Sequence, residues 1–316
     1  MTSPAQRATA RREPDLPPGV GREDLTAAGV RFSVLRASGP ARPTARPALL
    51  LHGVPQTALV WRDLMPELAR DRAVLAPDLK GMGQSQVQGP YDIPTLVAEL
   101  AALVEGEYAG PVDVVGHDWG GALAIALTAA RPDLVERLVV VNAPYREVDL
   151  RYAWHMALFA LPVVPEVMLA TAGRQFWGMV FDHAWHGPAE LADELREHYL
   201  DAYDDRARVS ATLAYYRGTV RPRVRALPKR ALRRRLGRRI APARAKPQEC
   251  LVVWGDRDPA FPLRIGENVA RDLGAELLVV EGSGHFAVEE NPALVVPAIA
   301  SFLRGERSPQ RLRADS

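Results

Sequence analysis

The chain has 316 residues, of which 47% are hydrophobic and 25% are charged, an ordinary composition for a globular protein. Its formal net charge of +2 argues against a protein that binds polyanions over its whole surface. A single cysteine, Cys250, excludes a disulfide within the chain and favours a reducing, cytoplasmic location. No apolar stretch follows the N-terminal arginines and no run is as long as a membrane span, so we expect neither a secretory signal nor a membrane partner.

Strand and helix patterns alternate along the chain. Short apolar runs bounded by Gly, Pro or Asp predict strands, and a period of 3.6 residues predicts helices. The predicted strands cover 30–35, 48–51, 74–76, 111–115, 138–141, 251–254 and 277–280, and the predicted helices cover 93–105, 121–127 and 291–303. This alternation predicts an α/β fold with a mostly parallel sheet and helices on both faces.

The segment between residues 144 and 246 has no strand pattern. It contains helical patterns, aromatic residues and prolines, and it is too long for a loop in a compact domain. We expect an inserted helical cap over the carboxyl ends of the strands, where ligands bind in open α/β sheets. The predicted organisation is a disordered segment 1–20, a first core part 21–143, a cap with a basic return segment 144–246, a second core part 247–305 and a polar, fraying tail 306–316.

Positive charge is concentrated at the end of this insertion. Residues 217–246 include thirteen Lys or Arg and no Asp or Glu, so the rest of the chain is net acidic. We interpret the basic stretch as a solvated helix face near the return to the core, and we expect no nucleic-acid partner.

A turn of the nucleophile-elbow form lies between the strand at 111–115 and the helix at 121–127. The turn reads Gly116-His117-Asp118-Trp119-Gly120, which matches the G-x-S-x-G pattern except that aspartate replaces serine. A serine at the tip would indicate acyl transfer. The carboxylate of Asp118 instead predicts displacement at a saturated carbon, with an alkyl-enzyme ester as the intermediate.

Hydrolysis of such an ester requires a base, a group that orients the base, and donors for the oxyanion. His285 lies in a glycine-rich loop after the last core strand and is the candidate base. Asp258 and Asp256 both follow a buried strand, and we favour Asp258 as the orienting acid. The backbone N–H groups of Trp119 and Val54 are the candidate oxyanion donors.

Other polar motifs do not indicate a cofactor. No Cys/His cluster has the spacing of metal ligands, and Gly81-Met82-Gly83 lacks the third glycine of a dinucleotide fingerprint. We therefore expect neither a metal nor a cofactor. His52 and His117 flank strand ends, and we interpret both as buried turn histidines that form local hydrogen bonds.

These motifs together resemble the α/β-hydrolase superfamily, in particular its epoxide hydrolase and haloalkane dehalogenase branch. The resemblance runs from about residue 25 to 303, and Asp118 at the elbow indicates the branch. Some members place the acid after the earlier strand, where this chain has Asn142. An amide cannot carry the charge that stabilises an imidazolium, so we discount that position. The matching segments are 52–55, 78–85, 116–121, 255–258 and 284–286.

The resemblance also implies substrate-binding residues in the cap. Epoxide hydrolases of this type hold the epoxide oxygen with two cap tyrosines, and Tyr216 stands in the position of one of them. The other position, four residues before Phe159, is His155, which departs from the two-tyrosine pattern. Because a histidine can also donate a hydrogen bond, we expect Tyr216 and His155, with Trp119, to contact the substrate.

Dehalogenases are the nearest alternative. Fluoroacetate dehalogenases look similar, but the two arginines that clamp their substrate carboxylate correspond here to Trp119 and Leu123. Haloalkane dehalogenases share the tryptophan after the nucleophile and usually add an asparagine, where this chain has Val54, or a cap tryptophan. The candidates for that cap residue are Trp154, Trp177 and Trp185, for which packing is the simpler interpretation.

We therefore expect an epoxide hydrolase-like enzyme that acts on a small, mostly apolar molecule as a monomer or homodimer. One alternative is a haloalkane or haloacid dehalogenase that uses the same residues. Another is a non-catalytic ligand-binding protein of this fold, since fold alone does not determine function. The complete set Asp118, Asp258 and His285 argues against a pure binder.

Overall fold

The computed structural model describes residues 14–41, 43–146, 151–225, 249–306 and 311–313. Within these ranges nine strands form one sheet in the order β1-β2-β4-β3-β5-β6-β7-β8-β9. The strands are Val20–Ala27 (β1), Val30–Ala37 (β2), Ala48–Leu51 (β3), Val74–Pro77 (β4), Val112–His117 (β5), Val135–Val141 (β6), Glu249–Gly255 (β7), Glu276–Val280 (β8) and Arg311–Leu312 (β9). The helices are Leu64–Leu68 (α1), Ile93–Glu107 (α2), Trp119–Ala130 (α3), Trp154–Phe159 (α4), Val164–Ala184 (α5), Ala189–Ala202 (α6), Arg206–Arg225 (α7), Leu263–Leu273 (α8), Ala287–Glu290 (α9) and Pro292–Leu303 (α10).

The sheet is mostly parallel. Strands β3 to β9 pair in parallel, whereas β1 and β2 run antiparallel at one edge. Every residue of β3 and β5 is buried because helices cover both faces of the sheet. Leu96, Leu123 and Ile265 pack on one face, and Leu64 and Val295 pack on the other. The predicted α/β fold is confirmed.

Both ends of the described chain contradict the prediction. Val20 begins β1 and Leu16 packs against the core, so the prediction of disorder is wrong for residues 14–20. Arg311–Leu312 pairs with β8, so the prediction of a fraying tail is wrong for these two residues. β1 and β9 are the two edge strands of the sheet, and neither has an apolar run. An edge strand pairs with a neighbour along one side only and leaves the other side open. Residues 1–13, and 226–246 of the basic stretch, lie outside the described residues.

Helices α4 to α7 lie between β6 and β7 in the chain and pack against one another. The Tyr203 hydroxyl donates to the carbonyl of Gln56, 3.0 Å away, after β3. The Tyr215 hydroxyl donates to the carbonyl of Lys80, 2.8 Å away, after β4. The helical insertion therefore contacts loops at the carboxyl ends of the strands. No helix among the described residues is long and apolar enough to cross a bilayer.

Candidate active site

Asp118 lies at a strained turn between β5 and α3. Its backbone has φ 48° and ψ −116°, a conformation that non-glycine residues rarely adopt. The turn is tight, since a Cβ atom on Gly120 would lie 2.0 Å from the carbonyl oxygen of Leu51. Glycine is therefore required at Gly120, and the turn projects the Asp118 side chain beyond the end of the strand.

The Asp118 carboxylate accepts hydrogen bonds from the backbone N–H groups of Val54 and Trp119, the two oxyanion donors predicted from the sequence. Its Oδ2 accepts the N–H of Val54 at 3.0 Å, and the carboxylate also accepts the N–H of Trp119. A Cβ on Gly53 would lie 2.5 Å from the Cβ of Asp118, so glycine is needed for this approach. Burial raises the pKa of Asp118, although the charge of His285 and the two N–H donors oppose that rise.

His285 contacts Asp258 rather than Asp256. Its Nδ1 lies 2.7 Å from Oδ2 of Asp258, and Oδ1 of Asp258 accepts the N–H groups of Ala260 and Phe261 at 2.8 and 2.9 Å. Asp256 instead accepts the N–H of Gly282 at 2.7 Å. The backbone donors and the imidazole thus hold the Asp258 carboxylate in one orientation.

Asn142 also contacts the Asp258 carboxylate. Its amide Nδ2 donates to Oδ2 of Asp258 at 2.7 Å, and its Oδ1 accepts the N–H of Gly255 at 3.3 Å. The side chain is fully buried at the end of β6. Asn142 therefore has a place in the site as a hydrogen-bond donor to the carboxylate that contacts the base.

The charges around His285 favour its protonated form. Burial disfavours an imidazolium, but the charge and hydrogen bond of Asp258, followed by the charges of Asp118 and Glu290, outweigh burial and raise the pKa of His285 to about 9. A pKa of about 9 favours the imidazolium at neutral pH, and the carboxylate that hydrogen-bonds it is Asp258.

His52 and His117 both form hydrogen bonds with residues outside their own turns. His52 hydrogen-bonds the carbonyl of Gly53 at 2.8 Å, as expected, but it also accepts the N–H of Leu79 at 2.9 Å. His117 donates from Nε2 to the carbonyl of His285 at 2.9 Å, so the expectation of a local bond is wrong for His117. Burial lowers the pKa of both His52 and His117, which keeps them neutral in these roles.

Tyr216 of α7 lies against Trp119. Their rings meet edge to face at 5.0 Å between centroids, and the Tyr216 oxygen accepts the indole N–H of Trp119. Burial raises the pKa of Tyr216, whose side chain is 4% exposed. The ring of His155 lies 6.1 Å from that of Tyr216, and burial, with the charge of His285, lowers the pKa of His155 to about 4. The structure therefore brings Tyr216, Trp119 and a neutral His155 together.

The three other candidate tryptophans have different surroundings. Trp154 is exposed, and Trp185 donates its indole N–H to the carbonyl of Pro188 at 3.2 Å. Trp177 is buried against Phe159, and its indole N–H has no partner within the described part of the chain. Of the three, only Trp177 retains a buried donor with no partner there.

Glu290, an acidic residue beside the base, is not among the site residues predicted from the sequence. Glu290 accepts the N–H groups of Gly284 and Phe286 at 2.5 and 3.1 Å, on either side of His285. The signal in the sequence is a pair of acids, Glu289-Glu290, in an otherwise apolar segment directly after the glycine-rich loop. Acidic residues there are unusual because buried carboxylates require donors.

Known proteins show the family to which this chain belongs. The sequence profile of the family described as alpha/beta hydrolase fold matches residues 47–292, so the chain belongs to that family, and it is a hydrolase. Epoxide hydrolase 3 of Mus musculus is 27% identical over 277 residues, which cover 81% of this chain and 70% of the mouse protein.

Two solved structures show the same fold. Cfl2 from Burkholderia cenocepacia superposes with a TM-score of 0.76 at 25% identity, over 92% of this chain and 98% of that one. Epoxide Hydrolase A from Mycobacterium thermoresistibile superposes with a TM-score of 0.71 at 22% identity, over 92% of this chain and 100% of that one.

Proposed function

We propose that this hydrolase opens an epoxide to a vicinal diol through an alkyl-enzyme ester on Asp118. The observation that carries the proposal is a carboxylate at the elbow, with its Oδ2 3.0 Å from the Val54 N–H and with Tyr216, Trp119 and the His285–Asp258 pair around it. A mouse relative that is named an epoxide hydrolase supports the same reaction class. Helices α4 to α7 act as the cap in this proposal.

In the first step, a carboxylate oxygen of Asp118 attacks an epoxide carbon and the carbon–oxygen bond of the ring breaks. The departing oxygen takes a proton from the Tyr216 hydroxyl. Burial raises the pKa of Tyr216, but the hydrogen bond with the Trp119 indole N–H opposes that rise and so stabilises the developing phenolate. Neutral His155, whose ring centroid lies 6.1 Å from that of Tyr216, offers a second donor to the same oxygen.

In the second step, His285 takes a proton from a water molecule, which attacks the ester carbonyl carbon of Asp118. The N–H groups of Val54 and Trp119 hold the oxyanion. The ester bond then breaks, and the diol oxygen takes the proton that His285 holds. The second proton of the water leaves the Asp118 carboxyl group, and a proton returns to the Tyr216 phenolate, so that both residues are restored. One carboxylate oxygen now comes from water, and one diol oxygen comes from the enzyme.

This mechanism predicts a pH dependence of the second step. His285 must be neutral to accept a proton, and its pKa of about 9 in the free enzyme depends partly on the charge of Asp118. Esterification removes that charge, so the pKa of His285 falls. We expect hydrolysis of the ester to speed up as the pH rises, with a midpoint below that of His285 in the free enzyme. Single-turnover rates compared with an NMR titration of the imidazole measure this, and a midpoint at or above the free value contradicts it.

A second prediction concerns the proton donor. Tyr216→Phe should reduce diol formation at least about tenfold, because the alkoxide loses its acid while His155 compensates only in part. Halide release from any haloalkane substrate should fall less, because a halide needs no proton. The matched control is Tyr215→Phe. It removes a neighbouring buried hydroxyl that donates to the backbone carbonyl of Lys80. Equal losses of diol and halide in the Tyr216 variant would contradict the assignment.

The reaction itself is tested by substrate class and by isotope. Purified enzyme is incubated with aryl and alkyl epoxides and, separately, with chloro- and bromoalkanes, and diol and halide are measured. A single turnover in water that carries a heavy oxygen isotope should label the carboxylate of Asp118 and leave the first diol unlabelled. Label in the first diol would exclude the ester, and turnover of neither class would favour a binding protein.

A dehalogenase remains the second candidate. Its supporting observation is the buried indole N–H of Trp177, which has no partner among the described residues and could serve a halide. In the substrate panel this alternative predicts halide release without diol formation from epoxides.

A further inference from the structure

The backbone of His285 is held by several parts of the fold. Its N–H donates to the carbonyl of Ala184 at 3.0 Å, and its carbonyl accepts the Nε2 proton of His117 at 2.9 Å. The N–H groups on either side of it, from Gly284 and Phe286, donate to the carboxylate of Glu290. The position of the imidazole therefore depends on Ala184, His117 and Glu290.

Glu290 is suited to this task because it only accepts hydrogen bonds. Its side chain is buried, and its carboxylate takes a third N–H from His186 in addition to those of Gly284 and Phe286. A glutamine in its place would turn an NH₂ group toward a backbone donor, because an amide has only one acceptor oxygen. The carboxylate also adds negative charge beside the His285 imidazole.

The same contacts tie the histidine loop to the helical insertion. Ala184 is the last residue of α5, and His186 lies two residues further along the chain. The two segments touch, since a Cβ on Gly284 would lie 2.2 Å from the carbonyl oxygen of Ala184. Phe286 stacks on Phe181 of α5 with 5.1 Å between ring centroids. A shift at the end of α5 must therefore move the loop that carries the base.

We propose that Glu290 is a positioning residue that fixes the His285 loop against the end of α5 and so aims the imidazole at the ester of Asp118. This inference rests on the proposed function. It assigns Glu290 to the hydrolytic step alone, because the attack of Asp118 on the substrate does not use His285 as a base. Loss of Glu290 should therefore affect the two chemical steps unequally.

The neighbouring acid provides a matched control. Glu289 and Glu290 are each 2% exposed and lie side by side in α9. Glu289 accepts from the Tyr199 hydroxyl and from the Gln56 amide, and it makes none of the bonds to the histidine loop described for Glu290. Replacing either acid by glutamine removes a buried carboxylate, but only the change at Glu290 should loosen His285.

The experiment compares Glu290→Gln and Glu289→Gln with the unaltered enzyme by rapid-quench kinetics on an epoxide that is turned over. For Glu290→Gln we expect ester hydrolysis to slow at least about tenfold while ester formation changes by less than about threefold, so that the ester accumulates. For Glu289→Gln we expect the ratio of the two steps to stay as in the unaltered enzyme. Equal slowing of both steps in the Glu290 variant, or the same imbalance in both variants, overturns the proposal.

A second measurement separates this inference from the epoxide reaction. An NMR titration of His285 needs no substrate, and Glu290→Gln should lower its midpoint because one of three nearby carboxylates, with Asp258 and Asp118, loses its charge. If no ester forms in any variant, the proposed function fails, and this titration still tests the contact between Glu290 and the base. An unchanged midpoint would contradict a role for Glu290 at His285.

Glu290→Asp serves if the glutamine variant does not fold. Aspartate keeps the charge but is one methylene shorter than glutamate. Its carboxylate therefore lies too far from the N–H groups of Gly284 and Phe286 to accept both hydrogen bonds. We expect the titration midpoint of His285 to be retained and ester hydrolysis to slow relative to ester formation. Unaltered hydrolysis in this variant would overturn the proposed positioning.

Discussion

Asp118→Asn should abolish turnover, with a loss of at least about a thousandfold, because a neutral amide is a poor nucleophile toward a saturated carbon. The substitution preserves the size of the side chain, so the strained elbow and the contact with the Val54 N–H should survive. Product formation and thermal melting, measured on the same preparation, separate a chemical defect from an unfolded protein. Normal turnover by this variant would exclude Asp118 as the nucleophile.

His285→Gln should give a different defect at the same site. Attack by Asp118 does not need a base, whereas hydrolysis of the ester does, so the ester should accumulate. Mass spectrometry of the digested variant after exposure to substrate should find an adduct on the peptide that contains Asp118. An adduct on another peptide, or the absence of any adduct while substrate is still consumed, would contradict the two-step mechanism.

Asp258→Asn should reduce turnover by about three to four orders of magnitude, because the imidazolium that forms during hydrolysis loses its neighbouring charge and its fixed tautomer. His285 Nδ1 lies 2.7 Å from this carboxylate, and Asn142 donates to the same oxygen. An asparagine at 258 could turn its NH₂ group toward these donors and weaken both contacts. The loss should appear mainly in ester hydrolysis, as measured by rapid quench.

Asp256→Asn is the control for this prediction. Asp256 lies two residues away on the same loop and accepts the Gly282 N–H at 2.7 Å, a contact that an amide oxygen can also make. We expect its turnover to stay within about threefold of the unaltered enzyme, since a single turn contact is replaced by a similar one. A larger loss at 256 than at 258 would reverse the assignment of the acid.

The central strands were predictable because burial on both faces leaves a continuous apolar run. The prediction for 48–51 coincides with β3, and the prediction for 74–76 differs from β4 by one residue. Edge strands gave no such signal. Of the residues of β1, VGREDLTA, only Ala27 is buried and the others are exposed or half-buried, because the strand lies at the edge of the sheet and pairs along one side only.

The helical insertion was predictable as a block but not in its contacts. A long segment without strand signals predicts helices, and α4 to α7 fill it as far as the described residues extend. The edge-to-face contact of Tyr216 with Trp119 could not be read from the chain, because packing between distant helices decides which side chains meet.

The local chemistry of the elbow follows from the sequence alone. Glycines that permit a tight strand-to-helix turn, and an aspartate at its tip, are neighbours in the chain, so their arrangement follows from local backbone geometry. Which groups contact the His285 base, by contrast, depends on long-range packing. Asp258 is 27 residues from His285, and His117 is 168 residues from it. Both contacts arise because the loops that follow parallel strands meet at the carboxyl ends of those strands. The choice between Asp256 and Asp258, the donor role of Asn142 and the contact of Glu290 with the histidine loop all depend on that convergence, which no local pattern encodes.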